Sequence, residues 1–168
     1  MAARDRSARR SPGSHRPPTR TAARALWPTG PLPIATGTVE LVRDVFAGDT
    51  TPDHVRTQEM VAHVARVLRP GGLYLVNCAD RPPLAAARAE VATLRATFAD
   101  VAVVAEPGLL RGRGYGNLVL AATDDTELLG APRLARAIRS LPAPARLLHG
   151  DEATAFVGKA PVLADPEA

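Results

Sequence analysis

From Thr38 onward the apolar positions fall into short runs and helical stripes; before it they do not. Residues 38–46 predict a short strand that closes at Asp44-Val45-Phe46. The loop from Ala47 to Pro52 leads into a helix, with Thr51 placed to cap it and Pro52 suited to its first position. Val55, Met60, Val61, Val64, Val67 and Leu68 recur on one face of that helix, which runs through about residue 68. Pro70-Gly71-Gly72 then stops it, because proline cannot continue a helix and glycine accepts the angles of a tight reversal. Leu73-Tyr74-Leu75-Val76 opens a strand over 73–79 that is apolar on both faces. Such a strand belongs inside a sheet covered on both sides.

Pro82 and Pro83 open a second helix to about Phe98, with Leu84, Ala87, Val91, Leu94 and Phe98 at helical spacing. Val101 to Ala105 predicts a strand, Pro107 to Gly114 a Gly/Arg loop, and Asn117 to Ala122 a last strand. Two short helices are expected within residues 131–157, around Leu134-Ala135-Ile138 and Glu152-Ala153-Phe156. The alternation implies an α/β fold with parallel βαβ units, right-handed crossovers and a closing antiparallel strand. No internal repeat is visible.

Composition sharpens this picture. A chain of 168 residues holds one domain with a real core, and with 46% hydrophobic but only 4% aromatic residues that core is built from Ala, Val and Leu. Charge divides the chain. Residues 1–37 hold seven arginines against Asp5, which is 7 − 1 = +6, whereas residues 38–168 hold 14 basic and 16 acidic side chains, 14 − 16 = −2. A nucleic-acid domain carries its basic patch on the fold, so specific nucleic-acid binding is not expected. The tail arginines could still touch acidic partners non-specifically. Residues 1–37, interrupted by Pro12, Pro17, Pro18, Pro28, Pro31 and Pro33, read as a disordered basic tail, and its prolines spoil the amphipathic helix of a transit peptide. Residues 38–163 are the expected domain.

The single cysteine, Cys78, excludes an internal disulfide framework and reads as a small buried hydrophobe. His54, His63 and His149 match no metal-ligand spacing, and Ser140 lacks the context of a nucleophile, so neither a metal site nor serine chemistry is expected. No apolar run approaches the roughly 20 residues of a membrane span. No secretory h-region is seen, and a cytoplasmic location is the expectation.

Candidate chemistry gathers where ligands bind in open α/β sheets, beyond the C-terminal ends of the strands. Asp44 and Asp49 follow the first strand, and Asn77 and Asp80 follow the second. A carboxylate there takes a proton from an amine nucleophile or holds a cationic substrate. Each also has a structural reading: Asp44 terminates its strand, Asp49 caps the following helix, and Asp80 caps the helix begun by Pro82.

Two stretches resemble a known family. Val42-Arg43-Asp44-Val45-Phe46-Ala47-Gly48-Asp49-Thr50-Thr51-Pro52 is similar to the aspartate loop of spermidine synthase-like proteins, and the helix ending in Leu68-Arg69-Pro70-Gly71-Gly72 is similar to the element that follows it. Arg88-Ala89-Glu90, Phe98 and Arg113-Gly114-Tyr115-Gly116-Asn117-Leu118-Val119-Leu120-Ala121 resemble the later helix and closing hairpin. The resemblance covers about residues 38–163 and implies the C-terminal half of a partial Rossmann-like sheet of the class I methyltransferase type. It makes Asp44 the catalytic base and Asp49, more loosely because of its longer spacing, an amine-holding group; Asn77 and Asp80 stay substrate-side candidates by their place after the second strand alone.

The family uses decarboxylated S-adenosylmethionine, gripped by a glycine-rich loop and an acidic residue earlier in the fold. Nothing upstream of Thr38 supplies either, and Gly112 and Gly114 lie between late strands, so no cofactor-binding residue is assigned. The expectation is a truncated spermidine synthase-like protein, related to aminopropyl transfer and polyamine biosynthesis, with a polyamine or other small amine as partner and weak activity or none. Two alternatives stand beside it. One is a non-catalytic α/β interaction module or remnant, forming a homo-oligomer through the exposed sheet edge. The other is a small-molecule S-adenosylmethionine-dependent methyltransferase of the same fold.

Overall fold

A computed structural model of the chain describes residues 38–48 and 50–166. The expected tail at 1–37 and the candidate Asp49 lie outside the described residues. Within them, five strands form one mixed sheet: β1 (Thr38–Arg43), β2 (Leu68–Asp80), β3 (Asp100–Ala105), β4 (Gly116–Thr123) and β5 (Arg146–Leu148). The helices are α1 (Gln58–Val67), α2 (Ala85–Arg95), α3 (Pro107–Leu110), α4 (Pro132–Arg139) and α5 (Asp151–Val157). The strand order is β1-β2-β4-β3-β5, with β1 parallel to β2. β4 runs antiparallel to both of its neighbours, β2 and β3, and β5 runs antiparallel to β3. The α/β class, the parallel pair and the antiparallel closing strand agree with the pattern of the sequence. The pattern did not reveal that the closing strand inserts between β2 and β3, nor that β5 separates the two last helices.

Side chains alternate along each strand, and the register carries that alternation across the sheet. Tyr74, Val76 and Cys78 of β2 share one face with Leu118, Leu120 and Ala122 of β4 and with Val101, Val103 and Ala105 of β3. All are buried. α1 contributes Met60, Val61, Val64 and Val67 to the core, and α2 contributes Ala87, Val91 and Leu94. On the other face Ala102 and Ala121 pack with Leu129 and with Leu73, Leu75, Leu134 and Leu147. That second layer thins toward β1, where Val42 is 61% exposed.

The first strand ends at Arg43 rather than Phe46, α2 ends at Arg95 rather than near Phe98, and the expected loop over 107–114 opens with α3. Three further boundaries differ from the sequence reading, each for a local reason. The expected helix from Pro52 splits into a 3₁₀ turn, Asp53–Val55, and α1. Thr57, not Thr51, caps α1, its hydroxyl accepting from the Met60 N–H at 3.4 Å. Complete burial of Val55 anchors the chain before the helix begins. At the other end Leu68 is already extended and pairs with Thr38, so Pro70-Gly71-Gly72 forms an irregularity inside the strand pairing, with Gly71 at φ 70°. Third, α2 starts at Ala85. The Pro82-Pro83 pair makes the turn before it, and buried Leu84 takes a left-handed φ of 62° while its N–H donates to Arg81 O at 2.8 Å.

After α5 the chain returns across α1 and α2 as a strap. Leu163 O accepts from the Gln58 N–H at 2.8 Å, Leu163 N–H donates to Thr93 Oγ1 at 2.9 Å, and Asp165 N–H donates to Glu59 Oε2 at 2.9 Å. The Asp165 N–H above all holds the Glu59 carboxyl below its ordinary range. The strap therefore meets one of the amide groups that α1 leaves unpaired in its first turn. Thr93→Val keeps the shape of this fully buried side chain but removes the acceptor. The expected loss is about 1 kcal/mol in urea unfolding, with faster amide exchange at Leu163; unchanged exchange there would show that the strap does not depend on Thr93.

Two core groups tie stability to alkaline pH. Burial pushes the Cys78 thiol up from 9.0 to about 12, aided by the charges of Glu90 and Asp80. Burial likewise raises the Tyr74 phenol from 10.0 to about 12. Each holds its proton more tightly folded than unfolded, so its contribution is complete below the unfolded value and is lost as pH rises toward the folded one. Urea midpoints should therefore start falling near the unfolded Cys78 value of 9.0 and keep falling to about 12. Cys78→Ala should delay the onset to the Tyr74 window; an onset unmoved by that substitution would contradict the assignment.

Candidate functional site

β1 and β2 are parallel, so their C-terminal ends lie on one edge, and β4 begins there because Asp80 is paired with Gly116. Asp44 is the first residue past β1 and is exposed. Arg43 is paired with Val76, which brings the next residues of the two strands together: Asn77 Nδ2 donates to Asp44 Oδ1 at 2.9 Å. Asn77 Oδ1 is buried and has no hydrogen-bond partner. No cation pairs with Asp44 among the described residues.

Asp80 has a different environment. Its Oδ1 accepts from the Arg81 N–H at 2.7 Å and its Oδ2 from the Ala87 N–H at 2.9 Å. The second bond meets an amide of the first turn of α2, the capping duty considered for this residue. Of the four candidates, then, Asp44 and Asn77 are joined, Asp80 caps a helix at the same edge, and Asp49 is outside the described residues.

The largest polar feature of the edge was not read as a site from the sequence. Alternation along β1 turns Arg43 inward, where it is 4% exposed, and the helical stripe of α2 turns Glu90 inward at 3%. Arg43 Nη2 donates to Glu90 Oε2 at 2.5 Å, and Arg43 Nη1 donates to Val55 O at 2.9 Å. Arg56 Nε donates to the other oxygen of Glu90, Oε1, at 2.8 Å. One carboxylate thus joins the end of β1, the 3₁₀ segment and α2. The signal was present: an arginine in the apolar phase of a strand and a glutamate among Ala87, Val91 and Leu94.

Beside this network lies an open cleft of about 150 Å³, bordered by Thr50, Thr51, Arg56, Asp80, Arg81 and Tyr115 among others. Arg81 Cζ lies 5.8 Å from the centroid of the Tyr115 ring. Elsewhere, His149 Nε2 contacts both carboxylate oxygens of Asp100 at 2.9 Å. Among the described residues no three His, Cys, Asp or Glu side chains come together as a metal site, and no helix is long and apolar enough to cross a membrane. Gly112 and Gly114, both at positive φ, follow α3 in the loop leading to β4.

No protein-family model matches the chain, and no curated protein matches it. A solved structure does: the crystal structure of a probable spermidine synthase from Corynebacterium glutamicum ATCC 13032, with a TM-score of 0.71 and 34% sequence identity. The match covers 80% of this chain and 50% of that one, so the chain spans about half the length of this relative. At this identity the likeness extends beyond the course of the backbone to the sequence itself. The described part of this chain has a spermidine synthase-like α/β fold.

Proposed function

We propose that this domain carries the acceptor side of an aminopropyl transfer, with Asp44 as the base. The observation that carries the reading is the exposed Asp44 carboxylate at the C-terminal end of β1, held by Asn77 on a rigid strand pair. The amine enters as an ammonium ion, and Asp44 takes one of its protons. The freed nitrogen lone pair forms a bond to the carbon beside a sulfonium centre, and the carbon–sulfur bond breaks with its electrons going to sulfur. A secondary ammonium and a neutral thioether result, and charge is conserved because the acceptor's proton ends on Asp44. Decarboxylated S-adenosylmethionine is the donor in the family; no glycine-rich strand-to-helix turn that could grip it occurs among the described residues, so no residue is assigned to it. Asn77 would keep the carboxylate aimed, and its unmet Oδ1 is a further acceptor beside it.

Asp44→Asn retains the size of the side chain and removes the base. With putrescine or spermidine as acceptor it should lower transfer by about 10²–10⁴-fold, the usual scale of general-base catalysis, with the fold intact. Equal transfer by both proteins would refute the role of Asp44.

A second reading, an interaction module, is favoured by one observation. Among the described residues β1 pairs only with β2, and Val42 on it is 61% exposed. Such an edge offers unpaired backbone groups to another strand, here that of a second copy of the chain. Light scattering should then give a concentration-dependent dimer that Val42→Lys converts to monomer; a monomer at every concentration would remove this reading.

A further inference from the structure

Stability alone is a weak reason for buried charge at the end of β1. Taking charged groups out of water is costly, and a well-packed apolar set of the same volume is often at least as stable. Arg43 Nε adds to the cost, being buried with no hydrogen-bond partner. What the set provides is direction. Ala87, Val91 and Leu94 are buried around Glu90 and fix the face of α2 that carries it. Arg56 Nε takes Oε1 of Glu90, which leaves Oε2 to Arg43. The Arg43 guanidinium also donates through Nη1 to Val55 O, and Val55 is fully buried. A planar fork held through two of its donors keeps one orientation.

The residue so held stands at a boundary. Arg43 is the last position of β1 paired with β2, through Val76, and the next residues of the two strands are Asp44 and Asn77. Asp44 is exposed and Asn77 is partly buried, so little packing aims the carboxylate itself. Asn77 Nδ2 meets Asp44 Oδ1 at 2.9 Å, and a drift of about 0.7 Å between the two strand ends would break that bond.

We propose that Glu90 is a positioning residue for Asp44, acting through Arg43 to hold the end of β1 where the Asp44 carboxylate meets Asn77. Arg56 serves the same end by occupying the other oxygen of Glu90. This deepens the acceptor-side reading and rests on it only for what Asp44 does; where Asp44 is held stands on the geometry of Arg43 and Glu90 and is measured without turnover.

The test follows the Asn77 side-chain amide resonances of the full chain through an acid titration, because that group is bonded to Asp44. Wild type should show a step at Asn77 that Asp44→Asn abolishes. Glu90→Gln keeps the shape of the side chain and removes its charge, and it should at least halve that step. So should the double variant Arg43→Met with Glu90→Leu, which replaces the buried pair by apolar side chains and should recover most of the urea midpoint that Glu90→Gln loses. The double variant alone decides if Glu90→Gln does not fold. A merely structural role gives a different result: the step returns together with the midpoint, and that outcome overturns the proposal. A step of wild-type size in Glu90→Gln, or none in wild type, overturns it too. Loss of the step in both variants, with aminopropyl transfer unchanged by Asp44→Asn, supports the positioning and removes only the acceptor-side role of Asp44.

Discussion

The C-terminal edge of the sheet depends on one buried carboxylate. Glu90 lies on α2 under the end of β1, with both oxygens taken by guanidinium groups. Losing one partner of such a buried group typically costs about 3–5 kcal/mol, yet a well-packed apolar replacement of the whole set is often neutral or stabilising. Its contribution is therefore positional. Arg43 is the last residue of β1, and its guanidinium ties that end both to Glu90 and to Val55 O. The residue immediately after it is Asp44. Wherever Arg43 is fixed, the backbone that presents Asp44 is fixed as well.

Much of this fold could be read from periodicity, because periodicity records burial. The strands expected over 73–79, 101–105 and 117–122 are all present, the first and last extended at both ends and the middle one by one residue at its start, through pairing that depends on the neighbouring strand. The errors occur where a tertiary contact overrides a local signal. Thr51-Pro52 has good helix-start chemistry, but Val55 and Arg56 are drawn to the core and to Glu90, and the helix starts afresh at Thr57. Pro70-Gly71-Gly72 reads as a turn, but Leu68 has already joined the sheet through Thr38. Position along the strands was enough to place Asp44, Asn77 and Asp80 at one edge of the sheet. The Arg43–Glu90–Arg56 set escaped because charged residues are ordinarily read as solvated, and only the phase of each within an apolar stripe marks it as buried.

The two acidic positions on this edge have diverged through their neighbours. Asp80 is followed by a helix and gives its oxygens to backbone amides. Asp44 is followed by a loop and, among the described residues, accepts from a side-chain amide. The same residue type, one strand apart, thus serves architecture in one case and remains open to solvent in the other.

The insertion of β4 has a consequence for synthesis. β2 ends at residue 80, but the strand that covers its inner edge is complete only at residue 123. At about 5–20 residues per second, the usual pace of translation, this separation leaves β2 waiting roughly 2–9 seconds for its neighbour. During that interval one of the most apolar strands of the protein has an unpaired side. A nascent chain of this topology therefore carries an open strand edge until β3 and β4 emerge and β4 can insert.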